Sequence, residues 1–149
     1  MAIERSFAML KPGILQRRLV GEVLSRIERK GLRIIALKLA RLDQEQVEAH
    51  YAEHAGKSFY PGLLAYTVSG PVVLMAVQGD DAIATLRRIC GPTDVAQAPA
   101  GTIRGDYALH TRLNILHASD SPASADREIT LFFKPAELVE WTDPNAEWY

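Results

Sequence analysis

Residues 6–42, SFAMLKPGILQRRLVGEVLSRIERKGLRIIALKLARL, contain the pattern that decides the fold. The apolar run at residues 6–10 is followed by Lys11-Pro12-Gly13, and proline with glycine ends a strand. In the next segment the apolar residues recur at the i, i+3, i+4, i+7 spacing of one helix face: Val20, Val23, Leu24 and Ile27. Gly31 then follows a basic pair, which is typical of a helix C-terminus. The stretch therefore begins with a predicted strand and a predicted helix.

A second strand is predicted from the aliphatic residues at 32–42. Strand side chains alternate between faces, so Ile35, Leu37 and Leu39 are expected on one side. The rest of the chain predicts further elements. A helix starts at Asp43 with Gln46 as its capping-box partner, and a short helix follows at Pro61–Val68. Next come an apolar strand at Pro71–Val77 and a helix capped by Asp80 or Asp81, with Ile83, Leu86 and Cys90 in the core. An irregular loop is expected at residues 92–112, then an apolar segment into His117 and a helix starting at Ser121-Pro122.

The order of these elements is β-α-β-(α-α)-β-α-loop-β-α. Two βαβ units in tandem favour a ferredoxin-like βαββαβ fold of the α+β class. We expect a four-stranded antiparallel sheet with helices packed on one face, formed by a single domain over residues 1–149.

Composition and charge argue against several classes of function. The 149 residues carry 17 basic and 18 acidic side chains, a net charge of −1, which argues against a dedicated nucleic-acid binder or a binder of anionic membranes. The longest apolar run, Val72–Val77, is too short to span a bilayer. The single cysteine, Cys90, is expected to be a buried structural thiol. With no secretory signal at the N-terminus, we expect a cytoplasmic protein.

The segment Asn114-Ile115-Leu116-His117-Ala118-Ser119-Asp120-Ser121 carries the chemistry. It places a histidine at a predicted strand end, just before a helix start, among hydrogen-bonding residues. A neutral imidazole is a competent nucleophile, and a carboxylate on its other nitrogen, for which Glu128 is a candidate, would stabilise positive charge on the ring. Taken alone, the same histidine could be a partly buried residue in a polar turn.

Basic residues that could neutralise phosphate oxygens are scattered along the chain. Lys11 ends the first strand, Arg87 lies on the helix before the irregular loop, and Arg104 lies within that loop. Lysine supplies a point charge and arginine a planar fork that grips two oxygens. Taken singly, each is more often a solvated surface charge or a salt-bridge partner, and the sequence has no Walker pattern or kinase glycine-rich loop. These residues by themselves indicate only a possible phosphate enzyme.

The sequence resembles the nucleoside diphosphate kinase family along nearly its whole length. The matching stretches are Phe7-Ala8-Met9-Leu10-Lys11-Pro12, His50-Tyr51-Ala52-Glu53-His54, Ser69-Gly70-Pro71-Val72-Val73, Gly101-Thr102-Ile103-Arg104-Gly105-Asp106 and the segment around His117, which is similar to the family signature N-x-x-H-G-S-D. They occur in the family's order and spacing.

The resemblance implies a ping-pong reaction in which a nucleoside triphosphate phosphorylates His117 and a different nucleoside diphosphate collects the phosphate. It implies these roles: Lys11, Tyr51, Arg87, Thr93 and Arg104 on the phosphates, Lys11 and Asn114 on the ribose, Phe59 stacked on the base, and Ser119 and Glu128 orienting the imidazole. Mg²⁺ is expected to arrive with the nucleotide, held mostly by phosphate and water and not by a protein metal site. The resemblance also implies a homo-oligomer, a hexamer ahead of a tetramer, and the Trp148-Tyr149 ending resembles tails that reach a neighbouring subunit.

Four positions depart from the family pattern. Ala118 replaces the glycine after the histidine, and it would cost about 1 kcal/mol or more if the backbone there needs a positive φ. Gly13 stands where an acidic residue is usual, Leu113 stands where arginine usually precedes the asparagine, and Val95 replaces a loop proline.

Two histidines raise a further question. His50 and His54 are spaced as two metal ligands on one helix, but no third ligand is evident, and we expect a polar helix face bordering the nucleotide cleft. Two alternatives to the kinase remain at this point. One is a non-catalytic nucleotide- or RNA-binding module on the same fold, and the other is a family member that has lost rate through Ala118 and Gly13.

Overall fold

The computed structural model describes residues 3–149. Its strands are β1 (Ile3–Leu10), β2 (Arg33–Ala40), β3 (Val72–Asp80) and β4 (Leu116–Ala118). Its α-helices are α1 (Val20–Arg29), α2 (Gln44–His50), α3 (Tyr60–Val68), α4 (Ala82–Cys90), α5 (Ile103–Tyr107) and α6 (Pro122–Phe132). Short 3₁₀ turns cover Ala52–His54, Val95–Gln97, Thr111–Leu113, Pro135–Glu137 and Ala146–Trp148.

The strands form one antiparallel sheet in the order β2-β3-β1-β4. Strand β1 therefore lies inside the sheet, with β3 on one side and the short β4 on the other. The register places Met9 of β1 opposite His117 of β4. The predicted α+β, ferredoxin-like arrangement is confirmed.

Helices cover both faces of this sheet, and the expectation of one covered face was wrong. Successive residues of β1 point to different cores: Ala8 and Leu10 pack with helices α1 and α4, whereas Phe7 and Met9 pack with α2, α3 and α6. The physical reason is that β1 and β3 are apolar at consecutive positions, so each face has apolar surface that must be buried.

A β-bulge in β2 overturns the expected face for its leucines. The pairing with β3 shifts between Ile34 and Ala36, so Ile35 and Ala36 both join the core under α2, α3 and α6. Beyond the bulge the alternation resumes, and Leu37 and Leu39 are 48% and 60% exposed. One inserted residue turns the following side chains to the opposite face, which a strict period of two cannot anticipate.

Two of the three helix caps predicted from the sequence are confirmed, and one is wrong. Asp43 and Gln46 form the predicted capping box on α2, and Ser121 caps α6 by accepting from the Ser124 N–H. Asp81 precedes α4 with a φ of +45° and makes no side-chain cap. Instead the carboxylate of Glu4, on β1, accepts the Ile83 N–H at 3.3 Å. The predicted Asp80 or Asp81 cap is thus replaced by a residue distant in sequence.

The loop at residues 92–112 is more ordered than predicted, because it contains α5 and two 3₁₀ turns. Helix α5 begins at Thr102, whose side chain accepts from the Gly105 N–H. Cys90, at the end of α4, is buried as predicted, and burial raises the pKa of its thiol to about 11. No helix within the described part of the chain is long and apolar enough to cross a bilayer.

Candidate active site

His117 lies in the middle of β4 and not at a strand end, which corrects the position predicted for it. Two residues earlier, Ile115 has a φ of +77°, a left-handed conformation that is rare for a β-branched residue. Its carbonyl accepts the Lys11 N–H at 2.8 Å. A strained residue held by its surroundings is a feature of functional sites, and no sequence pattern indicated it.

A buried carboxylate holds the ring of His117. Glu128 projects from the inward face of α6 and is 2% exposed. Its Oε2 lies 2.7 Å from His117 Nε2, and its Oε1 accepts a hydrogen bond from Ser119 Oγ at 2.6 Å. Ser119 is in turn fixed to β1, because its N–H donates to the Phe7 carbonyl and its Oγ accepts the Phe7 N–H. Both carboxylate oxygens therefore have a partner: one contacts His117, and the other accepts from Ser119, which is bonded to β1.

His50 lies directly beside this pair, deep in the fold. It is 2% exposed, and its ring is 4.5 Å from that of His117, centroid to centroid, at 86°. Burial, followed by the neighbouring His117, lowers the pKa of His50 to about 2, so this imidazole is neutral. The expectation of a polar face bordering the cleft was wrong for His50. The sequence did contain a signal: the apolar Val47 lies three positions before His50, so the two share one helix face, and both are buried.

Lys11 and Asn114 form a buried polar pair between β1 and the start of β4. Lys11 is 7% exposed, and its Nζ donates to Asn114 Oδ1 at 2.8 Å. Burial, and then the nearby charge of Arg104, lower the pKa of the Lys11 amine to about 7. The amide of Asn114 also donates to the Thr93 carbonyl at 3.4 Å, which brings the exposed Thr93 to the same corner.

Arg104 is engaged mainly with the backbone. It is 5% exposed, and its guanidinium donates to three carbonyls, those of Asn114, Gly91 and Leu116. A guanidinium carries five N–H donors, so this bracing leaves part of the fork available. The structure therefore gives Arg104 a role that the sequence did not indicate, which is to tie the loop after α4 to β4.

Arg87, on α4, is exposed and reaches the residue next to the histidine. Its Nη1 donates to the Ala118 carbonyl at 3.1 Å. The cations predicted from sequence thus converge on the two ends of β4: Lys11 and Arg104 near its start, and Arg87 near its end. Two carboxylates are also nearby: Glu128 is paired with His117, and Asp120 is close enough to Arg87 for its pKa to be lowered, first by hydrogen bonding with Ser124 and then in part by that charge. The three cations still make this corner suitable for an anion.

Aromatic rings lead outward from His117. The Tyr51 ring is 6.2 Å from the His117 ring, the His54 ring is 6.1 Å from Tyr51, and the Phe59 ring is 5.3 Å from His54. Tyr51 is buried, its hydroxyl has no hydrogen-bond partner among residues 3–149, and burial raises its pKa. Phe59 is 52% exposed. The row begins with a buried phenol beside the histidine, whose hydroxyl is near Thr67, and ends with an exposed ring that is open to stacking.

The four positions that depart from the family pattern lie in different backbone environments. Ala118 occupies ordinary strand backbone in β4 and is not among the described residues with positive φ, so the alanine carries no such penalty. Gly13 has a φ of +100°, which favours glycine. Leu113 is 41% exposed on a 3₁₀ turn, and Val95 begins another. None of them displaces a group named above.

Comparison with known proteins agrees with this geometry. The sequence model described as nucleoside diphosphate kinase matches residues 4–138. A nucleoside diphosphate kinase of Treponema pallidum (strain Nichols) is 57% identical over 149 residues, with all of both chains covered. One from Listeria monocytogenes serotype 4b (strain F2365) is 51% identical over 146 residues, covering 98% of this chain and 99% of the relative.

A solved structure shares the fold over nearly the whole chain. The halophilic nucleoside diphosphate kinase from Halobacterium salinarum, in complex with CDP, superposes with a TM-score of 0.96 at 42% identity, covering 99% of this chain and 98% of that one. The chain belongs to the nucleoside diphosphate kinase family.

Proposed function

We propose that the nucleoside diphosphate kinase activity of this chain proceeds through a phosphohistidine on Nδ1 of His117. The observation that carries the proposal is the 2.7 Å contact between His117 Nε2 and Glu128 Oε2. A carboxylate at that distance accepts the Nε2 proton, which leaves the lone pair of a neutral ring on Nδ1. The tautomer suited to nucleophilic attack is therefore the one that Glu128 selects.

The reaction has two halves. Nδ1 of His117 attacks the terminal phosphorus of a nucleoside triphosphate, the bond to the bridging oxygen breaks, and the diphosphate leaves with that oxygen. Positive charge develops on the ring and is stabilised by Glu128 through the Nε2 proton. A terminal oxygen of a second diphosphate then attacks the same phosphorus, and the imidazole returns to its neutral form.

The cationic corner formed by Lys11, Arg104 and Arg87 around β4 supports phosphate binding. Phosphoryl transfer needs mainly positioning and charge neutralisation. Lys11 and Arg87 supply charge at the two ends of β4, Tyr51 supplies a hydroxyl, and Thr93 lies beside Asn114. Mg²⁺ would come with the nucleotide and would supply further neutralisation of phosphate charge. Lys11 and Arg87, the residues assigned to the phosphates, are cations that cannot ligate a metal, which fits a Mg²⁺ held by the nucleotide and by water.

We assign the nucleoside to the outer end of the aromatic row that runs from Tyr51 to Phe59. The exposed Phe59 ring offers a stacking surface that tolerates any base, and the Lys11–Asn114 pair offers donors for ribose hydroxyls. Nucleoside di- and triphosphates are therefore the substrates of the proposal. The Halobacterium salinarum relative was solved with CDP, which supports a diphosphate in this cleft.

The test is a phosphate-exchange assay with ATP and a second diphosphate such as GDP, varying both concentrations. Ping-pong transfer gives parallel double-reciprocal lines. Intersecting lines would overturn the covalent intermediate. Salt-sensitive RNA binding without any exchange would favour the non-catalytic binding module instead.

Substrate capture is expected to weaken in alkali because of Lys11. With a pKa lowered to about 7, the amine is charged below that pH and progressively neutral above it. Only the charged form neutralises phosphate, so kcat/KM, which reports the free enzyme, should fall as the pH rises through about 7. Lys11→Arg keeps its charge and should remove that fall. Equal profiles for both proteins between pH 7 and 9 would contradict this role.

We also propose that residues 1–149 act as one cytoplasmic domain that assembles into a homo-oligomer, a hexamer ahead of a tetramer. In its support, β2 is an edge strand whose Leu37 and Leu39 are exposed, and an unpaired edge is a template for another chain. The Tyr149 ring lies against Gly31 of its own chain, just before the N-terminal end of β2.

Sedimentation should then give a mass of about 99 kDa, six times the chain's 16.5 kDa. Leu37→Lys should lower that mass, because a charge on the edge opposes strand pairing. A monomer in the wild type, or a hexamer unaffected by the variant, would exclude this edge as the interface.

A further inference from the structure

A second imidazole lies behind the proposed nucleophile, and the phosphate chemistry leaves it unused. His50 Nδ1 is 3.8 Å from Glu128 Oε2, the oxygen that also contacts His117. Neither ring nitrogen of His50 has a hydrogen-bond partner among residues 3–149, although the side chain is 1% exposed. Burying unpaired polar atoms costs free energy, so such a residue calls for an explanation.

We propose that His50, His117 and Glu128 form a reversible binding site for a transition-metal ion such as Zn²⁺. One ligand atom from each of the three lies within 4.8 Å of the other two. Two imidazole nitrogens and one carboxylate are a ligand set found in catalytic zinc sites, where the fourth position stays open. Mg²⁺ prefers an all-oxygen shell, so this site is distinct from the metal that accompanies the nucleotide.

Metal binding requires all three pairs of ligand atoms to adjust. Ligand atoms around a tetrahedral zinc ion lie about 3.3 Å apart, given metal–ligand distances of about 2.0–2.1 Å. The His117–Glu128 contact, at 2.7 Å, must open slightly, and the His50–Glu128 contact, at 3.8 Å, must close by a similar amount. The third pair, one nitrogen of His50 and one of His117, lies within 4.8 Å and must also close towards that spacing. The ion enters past His117, whose side chain is 23% exposed.

The surrounding cations limit the affinity. Arg127 Nη2 is 3.8 Å from the same Glu128 oxygen, and Lys11 is also close enough to act on His50. Like charges repel a divalent ion, so we expect weaker binding than at a structural zinc site. This balance suits an ion that binds and leaves rather than one that holds the fold together.

Metal binding should also change the tautomer of His117, an inference that rests on the proposed function. An ion on Nε2 of His117 takes the place of the proton shared with Glu128. A neutral ring coordinated at Nε2 carries its proton on Nδ1, which removes the lone pair that attacks phosphorus. Zinc should therefore block phosphorylation of His117 by holding the wrong tautomer.

The experiment is calorimetric titration of Zn²⁺ into the magnesium-free wild type and into His50→Phe. Phenylalanine keeps the ring packing against Phe7 and Phe132 but removes both nitrogens. We expect one site per chain in the wild type and about tenfold or more weaker binding in the variant. His54→Gln and His110→Gln, at the two remaining histidines, should bind as the wild type does.

Two results would overturn the site: equal affinity in wild type and His50→Phe, or loss of binding only in the His54 and His110 variants. Should His50→Phe fail to fold, Glu128→Gln provides the second test, with the same expected loss. Cobalt(II) adds an independent readout, because a low-coordinate site gives strong visible absorption. Calorimetry does not depend on turnover, so a protein that binds zinc but transfers no phosphate would refute the proposed function alone.

Discussion

Replacing His117 with asparagine is expected to lower phosphate exchange between nucleotides by about 10⁴-fold or more, since loss of a nucleophile removes the whole covalent route. Asparagine is similar in size and polar, so it leaves β4 paired with β1 and Glu128 still facing an amide. The cationic corner keeps its residues in this variant. Nucleotide binding should therefore change little, and the defect should appear in kcat.

The matched control is His110→Asn, because His110 is exposed and has no place in the proposed chemistry. That variant should exchange phosphate at the wild-type rate. Steady-state assays with ATP and GDP, together with thermal unfolding of both proteins, separate chemistry from folding. Substantial exchange by a folded His117→Asn would refute the proposed nucleophile.

Glu128→Gln is expected to lower kcat by roughly 10²-fold or more. The carboxylate accepts from His117 Nε2 and from Ser119 Oγ, whereas an amide offers only one acceptor oxygen. If the amide nitrogen faces the ring, it donates to Nε2 and moves the proton to Nδ1, the tautomer that cannot attack. If its oxygen faces the ring, the tautomer is kept but the stabilising charge is gone.

Asp126→Asn is the appropriate control for that variant, because it removes an exposed carboxylate from the same helix. It should leave kcat unchanged. Single-turnover phosphorylation by ATP measures the first half of the reaction directly. Equal rates for Glu128→Gln and wild type would show that the carboxylate does not act on the nucleophile.

Much of the architecture was predictable from local pattern. Helix α1 follows from four apolar residues at helical spacing, and Asp43 and Ser121 mark helix starts through their own side chains. The antiparallel sheet followed from the order of elements. In each case the physical cause acts within a few residues, so it is visible in a short window of sequence.

The misses have non-local causes. The cap on α4 comes from Glu4, which is 79 residues away from Ile83 in sequence. The bulge in β2 depends on its pairing with β3, and the cover on both faces depends on where α2, α3 and α6 pack. Neither periodicity nor composition reports such contacts, so the exposed Leu37 and Leu39 and the second covered face were not foreseen.

The candidate site shows the same division. His117 was identified through a family motif and Glu128 as a candidate partner for its ring, and the structure places them 2.7 Å apart. The burial of His50 beside them, the left-handed Ile115 and the backbone bracing by Arg104 were not anticipated. Each arises from tertiary contacts around β4.

The most direct test of the account is to incubate the protein with magnesium and ATP, then locate the bound phosphate by phosphorus and nitrogen NMR. We predict one acid-labile phosphate per chain, on Nδ1 of His117, which moves to added GDP. Phosphate on Nε2, on another residue, or in a form that GDP cannot remove would contradict the assignment of Nδ1 of His117 as the nucleophile.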